Sequence, residues 1–202
     1  MKTIGRTGII TLSIVAALVL LGGSCIVTYN KLVRLDQAAK AQWAQVENAY
    51  QRRADLVPNL VETVKGAAAF ERETIIAVTE ARSRVGQVAV PKDLTTNAEQ
   101  FGNYQRAQDE LGSAVSRLLV VAEAYPTLTA TQGFRDLQAQ LEGTENRITV
   151  ERMRYNEAAR DFDTARASFP TSLVAGIFGD RFAEKQYFAA KAGSDTPPKV
   201  KF

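Results

Sequence analysis

The chain has 202 residues, of which 46% are hydrophobic and 23% charged, so it is neither a disordered segment nor a protein lying wholly within a membrane. A net charge of only +3, with acidic and basic residues interspersed, gives no electrostatic footprint for nucleic acid. Histidine is absent and Cys25 is the only cysteine, which removes imidazole metal sites, histidine-based triads, an intramolecular disulfide and a thiolate zinc centre.

The first element is an apolar run. Lys2 and Arg6 precede it, and no charged residue occurs from Thr7 through Asn30. At about 1.5 Å per residue it reaches about 36 Å, enough for a hydrocarbon core of about 30 Å. A core helix would carry a polar face, and a signal peptide has a shorter apolar region of about 7–15 residues. We read residues 1–30 as an uncleaved single-pass anchor that stays on the mature chain. The alternative is a lipoprotein signal, because "LLGGSC" sets Cys25 behind small residues, although Gly22 stands where a leucine is expected. Lys31, Arg34 and Lys40 follow the span as closely as Lys2 and Arg6 precede it, so basic residues leave its orientation open.

Residues 31–170 read as an antiparallel four-helix bundle of long helices with coiled-coil spacing. Leu32, Leu35, Ala39, Trp43, Val46 and Tyr50 line the first helix. The second carries Val57, Val61, Val64, Ala68, Glu71, Ile75, Val78, Arg82 and Val85. Between them lies "QRRADLVPNL". Proline in a helix interior costs about 3 kcal/mol but is welcome in a first turn. The stretch therefore predicts a helix–turn–helix corner at Pro58. Arg52 and Arg53 would sit on the outgoing carbonyls, and Asp55 would cap the incoming amides.

The third helix alternates Phe101, Gln108, Val115 and Ala122 with Tyr104, Leu111, Leu118 and Tyr125; "TNAE" offers a capping box at Thr96, and Pro126 ends it. In the fourth, Phe134, Leu141, Ile148, Tyr155, Phe162 and Phe169 recur every seven residues, with Leu137, Thr144, Glu151, Ala158 and Ala165 in the second seam position. "TATQ" from Thr129 is its expected capping box and Pro170 its stop.

Polar residues interrupt these seams. Counting helix rise from the corner places Arg82 and Glu151 within roughly 4–5 Å in height, and Glu71, Gln108 and Thr144 near a second common level. Two structural polar layers are expected, with Arg82 and Glu151 paired because stranded buried charges are expensive; the same layers could line a functional cleft. No catalytic, cofactor-binding or metal-ligating residue is assigned.

Residues 171–192 form an amphipathic segment, with Leu173, Val174, Ile177, Phe178, Phe182, Tyr187 and Phe188 beside Arg181, Lys185 and Lys191. It suits either contact with the bilayer surface or closure of the open end of the bundle. Residues 193–202, with Pro197 and Pro198, read as a flexible tail.

The stretches "YNKLVRLD", "AQWAQVENAYQRRADLVPNLVETVKG", "AVTEARSRV" and "LEGTENRITVERMRYNEAARDF" resemble the LemA family of bacterial membrane proteins, from Tyr29 to about Phe188. That resemblance implies an N-terminal anchor carrying a helical bundle, and it brings no established biochemical activity. Some relatives place a lipobox-like cysteine before the "YN", whereas here Ile26 to Thr28 separate Cys25 from Tyr29. Those relatives favour a bundle on the periplasmic, extracytoplasmic side of the inner membrane. The expected function is a non-enzymatic scaffold or adaptor of the cell envelope. Its partners would be the lipid bilayer, further copies of itself and a protein at the membrane, with no nucleic acid. The alternative is a ligand or peptide receptor, or less readily an enzyme, using the polar layers.

Overall fold

A 4–3 repeat of core positions runs without interruption along the first helix, from Leu32 through Asp36, Ala39, Trp43, Val46, Tyr50, Arg53, Val57 and Leu60 to Val64, and every one of these residues is buried. That spacing keeps one stripe facing the same neighbours for the whole length. The computed structural model describes residues 6–66, 71–88, 90–91 and 93–189, and among them there are helices and turns but no strand. Helix α1 is Arg6–Lys65, α2 Arg72–Gln87, α3 Ala98–Ala122, α4 Pro126–Thr129, α5 Gln132–Ala167 and α6 Thr171–Phe178, with 3-10 turns at Leu94–Thr96 and Gly179–Phe182. The tail expected over 193–202, and Lys2, Ala68 and Lys191, lie outside the described residues.

Helix α1 has 60 residues, which at helical rise is about 90 Å. Its N-terminal half carries the apolar run, and there Leu18, Val19, Leu20 and Leu21 are 63–73% exposed. The most apolar window has a mean hydropathy of 2.5, and none of it is buried. Among the described residues this is the one helix long and apolar enough to cross a membrane. An uncovered apolar helix of this length fits a membrane anchor.

The other half of α1 is the central strut of the body. Helix α5 lies along it in the opposite direction, as the pairs Arg53–Glu145 and Tyr50–Arg152 and the Trp43–Tyr155 ring contact show. Three apolar clusters follow one another along this pair. Farthest from the anchor, Val57, Leu60 and Val64 meet Val78, Leu111, Leu118 and Leu141. In the middle, Trp43, Tyr50, Phe101, Tyr104, Tyr155 and Phe188 form an aromatic box. Nearest the anchor, Leu32 and Phe162 are covered by Val174, Ala175 and Phe182.

The corner predicted at Pro58 does not exist. Arg52, Arg53, Asp55 and Pro58 are all inside α1, which continues to Lys65, and the next helix begins at Arg72. Pro58 removes the amide that would have bonded the Ala54 carbonyl one turn earlier. Arg82 of α2 replaces it, its Nε donating to the Ala54 oxygen at 3.0 Å. Asp55 is exposed and accepts from Gln51 at 2.8 Å, so it caps nothing. Arg52 reaches across to Gln140 at 3.0 Å.

The other helix ends fall close to where capping chemistry predicts. Asn97, not Thr96, caps α3 by accepting from the Gln100 amide at 3.1 Å. Thr131 caps α5, while Thr129 and Pro126 belong to the one-turn α4 between them. The α5 heptad is buried from Phe134 to Phe162, but Phe169 lies beyond the helix end and is 81% exposed.

The exchange at Ala54 can be tested with a double-mutant cycle on unfolding. Arg82→Met should cost about 0.5–1.5 kcal/mol in the wild-type chain, the worth of one hydrogen bond. With Pro58→Ala, residue 58 again supplies the amide and the same substitution should cost close to nothing. Equal costs in both backgrounds would mean that Arg82 does not serve this carbonyl.

Candidate functional site

Two of the stripe positions on α1 are charged, and each organises a buried polar group. Arg53 is 2% exposed. Its Nη2 donates to both the backbone oxygen and Oε1 of Gln108 on α3, each at 2.7 Å, and its Nη1 donates to Glu145 of α5 at 3.0 Å. Only its Nε goes unpartnered. Space for the guanidinium comes from Gly112, where a Cβ would lie 2.8 Å from Nη1. One turn on, Arg152 donates to the Tyr50 hydroxyl and to Asp109, both at 2.6 Å. It also lies over the rings of Tyr50 and Phe188.

The second group ties the C-terminal segment to α1. After α6, Gly179 adopts a φ of +49°, a left-handed turn open to glycine at no steric cost. Residues 183–189 then run back over the helices as a strap with no regular structure. Lys185 is 4% exposed and donates to Asp36 at 2.6 Å, and Lys40 donates to the other Asp36 oxygen at 2.7 Å. Asn156 pairs with both backbone polar groups of Phe188, giving to its carbonyl at 3.0 Å and accepting from its amide at 2.9 Å. The Tyr155 hydroxyl donates to the Gln186 carbonyl, and the Tyr187 hydroxyl donates to Asp163. Phe188 completes the aromatic box against Trp43, Phe101 and Tyr155. So Phe182, Lys185 and Phe188, past α6, join the core, while one face of α6 itself stays exposed.

The electrostatics follow from this pairing. Burial pushes the Asp36 carboxyl up, but the hydrogen-bonded ammonium groups of Lys185 and Lys40 outweigh it and hold it below the usual carboxylate range. Asp163 goes the other way, raised chiefly by burial despite the bond from Tyr187. Burial pushes the Tyr104 phenol up to about 12 and raises Tyr50 and Tyr155 as well, so these hydroxyls remain neutral hydrogen-bonding groups.

The expected polar layers are not those the structure builds. Arg82 and Glu151 do not pair: Arg82 is exposed and holds Ala54, while the 4%-exposed Glu151 is met on its own helix by Arg154 at 3.2 Å and Arg147 at 3.8 Å. The height count took Val57 as a helix start, and α2 begins instead at Arg72. Glu71 is exposed just before α2 and accepts from Thr74 at 3.4 Å. Thr144 is buried but donates to the Gln140 carbonyl of its own helix. Of that layer only Gln108 enters a network, with Arg53. Cys25 is exposed and helical, beside Ile26, Tyr29 and Ile177. Asp36, Arg152, Asp109 and Asn156 carry no role in the sequence reading, and Lys185 figures there only as a basic residue of the amphipathic segment. Asp36 and Arg53 were detectable, because the 4–3 repeat passes through both once it is continued across Pro58.

In these networks each buried cation is met by a carboxylate, and the buried hydroxyls serve carbonyls or guanidinium groups. Among the described residues, no three His, Cys, Asp or Glu side chains gather as metal ligands. The fold defines an all-α protein with a candidate N-terminal membrane helix and a body stitched by internal charge pairs. The LemA family model matches residues 42–202, and the chain belongs to the LemA family. It is similar to magnetosome protein MamQ 2 of Paramagnetospirillum magneticum, at 25% identity over 97% of this chain and 78% of the relative. MamQ of Magnetospirillum gryphiswaldense is 26% identical over 84% of this chain and 67% of its own. Protein LemA of Metamycoplasma hominis is 24% identical over 72% of this chain and 63% of its own.

The Arg53–Glu145 pair is asymmetric, since the side chains are 2% and 37% exposed. Glu145→Ala removes both the countercharge and the Nη1 acceptor of a buried guanidinium and should cost about 3–5 kcal/mol. Arg53→Met leaves a carboxylate that can turn to water but takes the donor from the buried Gln108 Oε1, and should cost about 1–3 kcal/mol. Denaturant titration showing the reverse order would refute the burial asymmetry.

Asp36 predicts a pH dependence. Its folded pKa is depressed below the ordinary 3.8, so its stabilising contribution is present above that value and disappears as pH falls through the lower folded one. The melting-temperature gap between wild type and Asp36→Asn should therefore be full at pH 6 and shrink below pH 4. A gap independent of pH would contradict the pairing with Lys185.

Proposed function

We propose that the protein is a non-enzymatic, single-pass scaffold or adaptor of the bacterial inner membrane. On this reading the body is an antiparallel helical bundle that acts by assembling with further copies and with protein partners on the extracytoplasmic side. One observation carries the proposal. The apolar anchor and the central strut of the body are the same helix, α1, with no linker between them. A body joined to its span through continuous helix cannot swing on a linker and follows the direction of the span, which suits positioning a partner. Two of the relatives support this reading, because they are named for a cellular structure, the magnetosome, and not for a reaction.

The receptor reading has one observation in its favour. An open depression of about 470 Å³ lies beside Arg82, lined by Glu47, Tyr50, Tyr104 and Gln108, although Glu151 is not part of it. Native mass spectrometry of the full-length chain released from membranes or nanodiscs separates the two. Assembly predicts masses at multiples of 22.1 kDa, with or without a stoichiometric protein partner. A monomer that retains a small molecule, and loses it on Tyr104→Ala, would replace the scaffold with a receptor.

A further inference from the structure

Helix α6 has two faces of different fate. Thr171, Val174 and Ala175 are buried against α1 and α5. On the other side Leu173 and Ile177, one turn apart, are 60% and 76% exposed, and Phe169, just ahead of the helix, is 81% exposed. No charged residue occurs from Phe169 through Gly179. An uncharged stripe of large apolar side chains is not a water-facing surface by composition.

Its position says what covers it. Val174, Ile177 and Phe178 form one wholly apolar wall with Cys25, Ile26 and Tyr29 of α1, and the Tyr29 and Phe178 rings are 4.7 Å apart. A span needs about 20 apolar residues. Begun at Thr7, it is complete at about Ile26, the level at which α6 packs. The apolar run outlasts the hydrocarbon core by about the part that α6 accompanies. Arg181, one turn beyond, lies over the Tyr29 ring at 5.7 Å, a basic and aromatic pair of the kind found at headgroup level.

We propose that α6 is a second membrane contact. It lies in the interfacial zone with Leu173 and Ile177, and Phe169 just ahead of them, in the acyl boundary and Arg181 among the lipid phosphates. This rests on the membrane-anchored reading above. The occupant of the stripe is the bilayer itself, because the stripe continues the exposed apolar surface of the anchor without a polar break. Anchor and α6 together then fix the depth and tilt of the body, which a single span leaves free.

The test uses the full-length chain in phosphatidylcholine–phosphatidylglycerol vesicles, with Cys25→Ser as background and a single cysteine carrying an environment-sensitive fluorophore. Reporters are Ile177→Cys and Phe169→Cys, with Leu18→Cys in the anchor and the 66%-exposed Val120→Cys in the body as references. Lipids spin-labelled near the headgroup should quench the Ile177 and Phe169 reporters several-fold more than the Val120 reporter. Quenching no greater than at Val120, with Leu18 still quenched by deep labels, overturns the α6 contact and leaves the anchor standing. A blue-shifted, unquenched Ile177 reporter also overturns it, since protein then covers the stripe. Failure at Leu18 removes the anchored reading and this inference with it.

Discussion

Pro58 deletes one hydrogen-bond donor from α1 about two turns before its C-terminal end at Lys65, and the whole arrangement depends on the helix continuing in spite of that. A proline in a helix interior costs about 3 kcal/mol. Set against it are the large side chains of the stripe on either side, Trp43, Tyr50, Val57, Leu60 and Val64, each buried. Full burial of such a side chain is worth about 1.5–3 kcal/mol. Turning the chain at Pro58 would break the stripe in two and face its halves to different neighbours. Continuity wins on magnitude, and Arg82 lowers the remaining penalty by taking over the orphaned Ala54 carbonyl.

The same continuity explains the two charges in the stripe. Asp36 and Arg53 would be ruinous if merely buried. Each is met by groups distant in sequence: Lys185 for Asp36, and Gln108 with Glu145 for Arg53. Such pairs are weak sources of net stability but strongly position-dependent, because a slip by one residue strands a charge. Arg53 therefore fixes the register of α1 against α3 and α5, and Asp36 fixes where the strap returns. Gly112 shows how tightly that register is built, since even a methyl group there would meet the guanidinium.

Much of the fold was legible in the sequence, and the failures share one physical cause. The α5 heptad from Phe134 to Phe162 and the seam of α3 from Phe101 to Ala122 are buried where their spacing put them, because packing of a long amphipathic helix dominates local detail. The exposed run before Asn30 was legible from length and charge alone. The corner was misplaced because local propensity at Pro58 was weighed without the cross-helix donor that offsets it. Once α2 was started at the wrong residue, the Arg82–Glu151 pair was placed at a height where it does not exist. Glu151 is buried as its seam position implied, but its partners came from its own helix. The strap was out of reach, since nothing in "AEKQYFA" specifies that Phe188 fills a box formed by Trp43, Phe101 and Tyr155 until the helices have been assembled.

The two ends of the long axis differ in chemistry. At the far end, α1 and α3 both turn and the core closes on Val64, Ala122, Leu128 and Phe134. Near the anchor the core does not close. Its apolar surface passes from Leu32 and Phe182, through Tyr29 and Phe178, onto the exposed side of α1, with Arg181 lying over the Tyr29 and Phe182 rings. Here the strap, held by Asp36, Asn156 and Asp163, clamps α6 against the emerging helix. Any load on the body is then transmitted to α1 through two attachments separated along its length. A span that merely tethered the body would not require the second.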